Sequence, residues 1–185
     1  MNIVKFQNTF RHFLKDRLPQ SDEYEVSRRI SDTHERVDDM RPFSQTLIVF
    51  DRCMAIDNQK ILSTAVVGAL KKNRSMFSAV SVSDWDGTAL VGNANGRLIN
   101  AEKYLSEAHP FSSNYTDFST FDAAIQPLTQ SAELILLILS QVIITSMETK
   151  RYSYAKKTLI LTCDNKDWTK ADLGAQGFSI LSLQK

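Results

Sequence analysis

TLIVFDRCMA, residues 46–55, decides the fold. From Leu47 to Phe50 the chain is apolar without a break, and it then stops at Asp51. A strand with one wet face alternates apolar and polar residues. An unbroken apolar run suits a strand covered on both faces, as in a parallel sheet between helices. The next segment, NQKILSTAVVGALKKN (58–73), predicts such a helix. Ile61, Leu62, Ala65, Val66, Ala69 and Leu70 share one face, and the lysines near its C-terminus suit the helix dipole.

Strand and helix signals go on alternating towards the C-terminus. MFSAVSVS (76–83) reads as a second strand, running to Asp84. TALVG (88–92) predicts a short antiparallel strand after a turn at DWDG (84–87). AEKYLSEAH (101–109) is a short helix, and DFSTFDAAIQPLTQ (117–130) opens another at Thr116 or Asp117, which Pro127 interrupts or ends. AELILLIL (132–139) is a buried strand, although periodicity leaves residues 134–152 open between strand and helix. KKTLILTC (156–163) is a strand, TKADLGAQ (169–176) a short helix and FSILSL (178–183) a final strand. Gly92 and Gly96 read as a flexible turn. The expected fold is α/β: a three-layer, mostly parallel sheet flanked by helices, over residues 46–185.

Residues 1–45 have a different texture. Phe6, Phe10, Phe13 and Leu14 form one helical stripe, ended by Pro19. Asp22 and Glu25 make a capping-box-like start for a second helix, closed by Pro42. This helical arm packs on the domain or, with Phe6, Phe10 and Phe13 as its contact residues, binds a protein partner or a second copy of the chain.

Of the 185 residues, 43% are hydrophobic and 23% charged, an ordinary balance for a soluble globular protein. The formal net charge of +1 leaves no basic footprint, so nucleic acid is not indicated. Cys53 and Cys163 have no second pair or histidine cluster for zinc, and read as reduced thiols. His12, His34 and His109 lie far apart and read as surface or packing residues. The N-terminal stretch carries charges through its apolar positions, unlike a signal peptide. The most apolar run, Leu134–Ile144, is 11 residues long, too short to span a bilayer. A soluble, intracellular protein is expected.

Asp51, Asp84 and Asp164 each close a predicted strand, with Asp86, Asp117 and Asp167 nearby. The carboxyl ends of open parallel sheets line the ligand crevice. Carboxylates gathered there repel one another unless a cation or proton intervenes, which makes Mg²⁺ worth considering. Trp85 and Trp168 adjoin these strand ends and could wall the crevice; Trp85 is also a candidate partner-binding residue.

Across about residues 46–183 the order of pieces resembles the von Willebrand factor A fold, in particular the version at the C-terminus of the Ro ribonucleoprotein. The pieces are TLIVFDRCMA, a helix, VSVSDW, and YTDFSTFDAAI opening a helix. The resemblance implies a metal-ion-dependent adhesion-type site, with Asp51 and Thr116 as ligands and Asp117 beside them. It also implies degeneracy. The family's Asp-x-Ser-x-Ser segment reads Asp51, Cys53 and Ala55 here, and a thiol and a methyl cannot replace two hard oxygen ligands. The fourth strand runs into Ser140 and Gln141 where the family has Thr-Asp. The implied role is a protein-interaction scaffold, with no cofactor or weakly bound Mg²⁺.

SDWDGTAL (83–90) separately resembles the Asp-x-Asp-Gly-Thr loop of the haloacid dehalogenase superfamily. That implies Asp84 as nucleophile and Asp86 as general acid/base, with Asp164 and Asp167 on Mg²⁺. LILTCDNKDW (159–168) is similar to the late acidic segment of PIN-like and NYN-like nucleases. The alternative expectation is thus a Mg²⁺-dependent phosphohydrolase or nuclease using Asp84, Asp86, Asp164 and Asp167.

Overall fold

The computed structural model describes residues 2–19, 40–107, 114, 116–148, 150–163 and 176–183. β1 (Thr46–Asp51) is buried at every position, as its unbroken apolar run requires. It sits inside a six-stranded sheet with β2 (Val80–Trp85), β3 (Leu90–Ala94), β4 (Leu134–Ile138), β5 (Thr158–Cys163) and β6 (Ser179–Leu183). The order is β3-β2-β1-β4-β5-β6, and β3 is the antiparallel strand at one edge. The other neighbours pair in parallel. The helices are α1 (Ile3–Lys15), α2 (Ile56–Lys72), α3 (Leu98–Ser106), α4 (Phe118–Thr129) and α5 (Gln141–Thr145). The protein is therefore α/β with a mostly parallel sheet.

Period-two alternation divides the core between the two sides of the sheet. Ile48 and Phe50 of β1 join Val80, Val82, Leu134 and Leu136 in a cluster completed by apolar residues of α1, α2 and α3. Leu47 and Val49 join Ile135, Leu137 and Trp85 in a second cluster, closed by Phe118, Phe121 and Ile125 of α4. The ambiguous run resolves into both alternatives: a fully buried strand over Leu134–Ile138, then the short helix α5 after Ser140.

Several details differ from expectation. The second strand starts only at Val80, because Arg74–Met76 form a 3-10 turn and Phe77 makes an isolated bridge to Phe43. Pro127 lies inside α4, which continues to Thr129 although the proline cannot donate to the carbonyl of Ala123 one turn earlier. Gly92 belongs to a strand, not to a flexible turn. The β2–β3 register slips between Ser83 and Asp84, so Gly92, at φ 61°, is the extra residue of a bulge.

The phenylalanine stripe is consumed inside the chain. Phe6, Phe10 and Leu14 are fully buried and Phe13 nearly so, all in the cluster shared with α2. Arg17 then stacks on Phe13, 3.8 Å from its centroid, and donates to Ser179 of β6 at 3.1 Å. These rings belong to the core of this chain and are not an open surface for a partner. The second helix expected from Asp22 falls outside the described residues, as do Asp164, Asp167, Trp168 and the TKADLGAQ helix up to residue 175. No helix among the described residues is long and apolar enough to cross a membrane.

A clamp holds the amino-terminal side of β1 and β4. Arg41 donates twice to Glu133, at 2.7 and 3.0 Å, and the Ser44 amide adds a 2.7 Å bond. The bonds from Arg41 are the largest cause holding the Glu133 carboxyl at about 2, against an ordinary 4.5. The unfolded chain therefore binds the proton first as pH falls. The contribution is complete above about pH 5 and disappears as pH falls towards about 2. Because both side chains remain about one-third exposed, Glu133→Gln is expected to lower stability by about 1–2 kcal/mol at neutral pH. The difference from wild type should shrink through that acid window, as read by urea unfolding at a series of pH values.

Candidate functional site: a buried ion pair at the sheet's carboxyl edge

The chain leaves β1 for β2 on one side and later places β4 on the other, so the strand order reverses between β1 and β4. Ligands of open α/β sheets bind outside the carboxyl ends at such a point. Asp51 and Ser140 stand there. Asp51 is fully buried, and both carboxylate oxygens are engaged: Oδ1 accepts from the Cys53 amide at 2.8 Å and Oδ2 from the Ser140 amide at 2.9 Å. The Ser140 hydroxyl is buried and finds no partner among the described residues.

Alternation sends Asp84 the other way. It continues the Val80–Val82 face of β2, opposite Phe50 in the register, whereas Asp51 continues the Leu47–Val49 face of β1. Asp84 meets Arg52 there: Arg52 Nε donates to Asp84 Oδ1 at 2.8 Å, with both side chains 5% exposed. Tyr104 of α3 donates its hydroxyl to Asp84 Oδ2 at 2.9 Å. Burial first, then this bond, pushes the Tyr104 phenol up to about 12, so it remains a donor at every ordinary pH. Gly92 makes room for it, because a Cβ at that bulge would collide with the Tyr104 hydroxyl.

Arg52 is held by two further contacts. Its guanidinium lies 3.9 Å over the Phe50 ring, and Nη1 donates to Gln59 Oε1 at 3.2 Å. Gln59 in turn donates to the carbonyls of Arg52 and Met54, at 3.1 and 3.0 Å. Nη2 is buried and has no acceptor among the described residues. Arg52 and Tyr104 were not legible as partners of Asp84, nor Gln59 as a partner of Arg52. The available signal was a charged residue placed directly after a strand-end aspartate among apolar neighbours.

The remaining candidates separate. Asp86 serves the hairpin turn: its Oδ1 accepts from the amides of Thr88 and Ala89 and from the Thr88 hydroxyl, each at 2.8 Å. These bonds hold its carboxyl below the usual range. Gly87, at φ 97°, completes the turn. Asp117 caps α4, accepting from the Thr120 amide at 2.8 Å and hydroxyl at 3.0 Å, which lowers its carboxyl too. Thr116 is half-buried just ahead of it. Trp85 is fully buried, edge-on to Phe121 at 5.6 Å, so it is a core residue of the second cluster and not an exposed contact for a partner. Among the described residues, no three His, Cys, Asp or Glu side chains gather closely enough to hold a metal ion. Cys53 is buried and Cys163 half-buried, and neither forms a disulfide among the described residues.

No protein-family model matches the chain, and no curated protein matches it.

Proposed function

We propose that the chain is a protein-interaction or scaffold module: a three-layer, von Willebrand factor A-like domain over residues 46–185 with a degenerate adhesion-type metal site, and with α1 of the N-terminal segment packed on it. The observation that carries this reading is the engagement of the candidate carboxylates among the described residues by the chain's own donors. Asp51 holds two backbone amides, Asp84 holds Arg52 and Tyr104, Asp86 holds its turn, and Asp117 caps its helix. A nucleophile or metal ligand needs lone pairs open to the substrate or ion. Cys53 and Ala55 stand where hard hydroxyl ligands would be required, which favours a scaffold over an ion-dependent grip.

The test is thermal unfolding with and without millimolar Mg²⁺ or Mn²⁺, beside an assay on a generic phosphate ester. A native-state site at a hundred times its Kd adds about 2.7 kcal/mol. For a domain of this size that raises the Tm by about 5–10 °C. The expected shift is under about 1 °C, with no ester hydrolysis. Mg²⁺-dependent hydrolysis that disappears in Asp84→Asn would overturn the reading in favour of a phosphohydrolase.

A further inference from the structure

Beside the ion pair, a pocket of about 450 Å³ runs along α2. Ile56, Lys60, Ser63, Val67 and Lys71 line it at spacings of three and four residues, one continuous helical face. The C-terminal end of α3 forms the opposite wall through Leu105, Ser106 and Glu107, and Arg52 closes it near the start of α2. Its volume lies in the range of small-molecule sites.

We propose that this pocket binds a small organic anion with an apolar body, such as a carboxylate, sulfonate or phosphate ester. This inference is independent of the scaffold reading. Three observations point to it. Arg52 lines the pocket with a guanidinium already oriented by Asp84, Gln59 and Phe50, and its buried Nη2 is left without an acceptor among the described residues. A donor of this kind is destabilising while it lacks an acceptor, and its orientation is fixed in advance; because Nη2 is shielded from solvent, an anion in the pocket reaches it only with a small opening of the wall. The charge of Arg52 is already matched by Asp84, and the rest of the lining carries Lys60 and Lys71 against Glu107, a small excess of positive charge. Finally, exposed Ile56 and the edges of the core residues Val67 and Leu105 give the pocket an apolar lining. Lys60 and Val67 are seven residues apart, about 10 Å along the axis. An anionic head at Arg52 and Lys60 would therefore leave room for a body of about two fused rings.

The probe is anilinonaphthalene sulfonate, an apolar double ring bearing one anion, followed by fluorescence titration of the full chain. Phenylnaphthylamine, nearly the same body without the charge, is the control. One saturable sulfonate site is expected. Lys60→Glu and Arg52→Lys should each weaken it at least about tenfold, since one reverses a charge and the other removes the planar donor fork. The neutral dye should change less than about twofold in either variant. Thr64→Trp, an exposed lining position, should fill the groove and remove both dyes without touching the core. No saturable sulfonate site in wild type, or a sulfonate affinity unchanged from wild type in Lys60→Glu and in Thr64→Trp, would overturn the proposal. Lys60→Glu keeps the inference testable even if Arg52→Lys folds poorly, because Lys60 is exposed.

Discussion

Asp84→Ala is expected to destabilise the protein by about 3–5 kcal/mol in urea unfolding at neutral pH, because it leaves Arg52 as a buried charge without its counterion. The pair is 95% removed from water on both sides, so solvent cannot take over the role of the missing carboxylate. Tyr104 loses its acceptor in the same step. The double replacement Arg52→Met with Asp84→Leu should recover much of that loss, because apolar residues of similar volume carry no desolvation penalty. This pattern separates a structural aspartate from a chemical one. A catalytic Asp84 held open for substrate would lose activity on substitution while the Tm stayed within about a degree or two. If Asp84→Ala leaves stability within about 1 kcal/mol of wild type, the carboxylate is not committed to Arg52, and the phosphohydrolase reading regains its ground.

The same pair shows what the sequence could and could not reveal. The run at 46–51 marked β1 because continuous apolarity has one economical explanation, a strand covered on both faces. The face of α2 was equally plain from its period. That Asp51, Asp84 and Asp86 all stand at one edge of the sheet followed from the strand ends. What each carboxylate binds did not follow, because hydrogen bonding depends on which neighbours the topology supplies. Asp84 and Asp51 occupy adjacent strands yet continue opposite faces, and the partner of Asp84 comes from a residue after β1 and another on α3. The DWDG segment looked like a phosphatase loop and also like a turn. The three bonds that Asp86 accepts from Thr88 and Ala89 are local and explain its spacing without any substrate. The bulge at Gly92 was hidden because a glycine in an alternating segment marks either a turn or a slipped register.

Phe10→Ala is expected to lower stability by a further distinct route, about 3–5 kcal/mol, through a cavity in the cluster that α1 shares with α2. For a chain of this length that corresponds to a Tm lower by about 8–15 °C. The ring is fully buried and stacks on Phe6 at a centroid distance of 6.1 Å, so the void left behind has little exposed surface through which to relax. A detachable partner-binding arm makes the opposite forecast: truncating its phenylalanine would weaken association and leave the unfolding of the domain untouched. The two cases also differ in cooperativity. If α1 belongs to the core, differential calorimetry of wild type shows one transition that moves as a whole in Phe10→Ala; an arm would melt early and separately. Burial of all three phenylalanines favours the single transition, and with it a surface for partners that lies elsewhere than on the stripe that first suggested one.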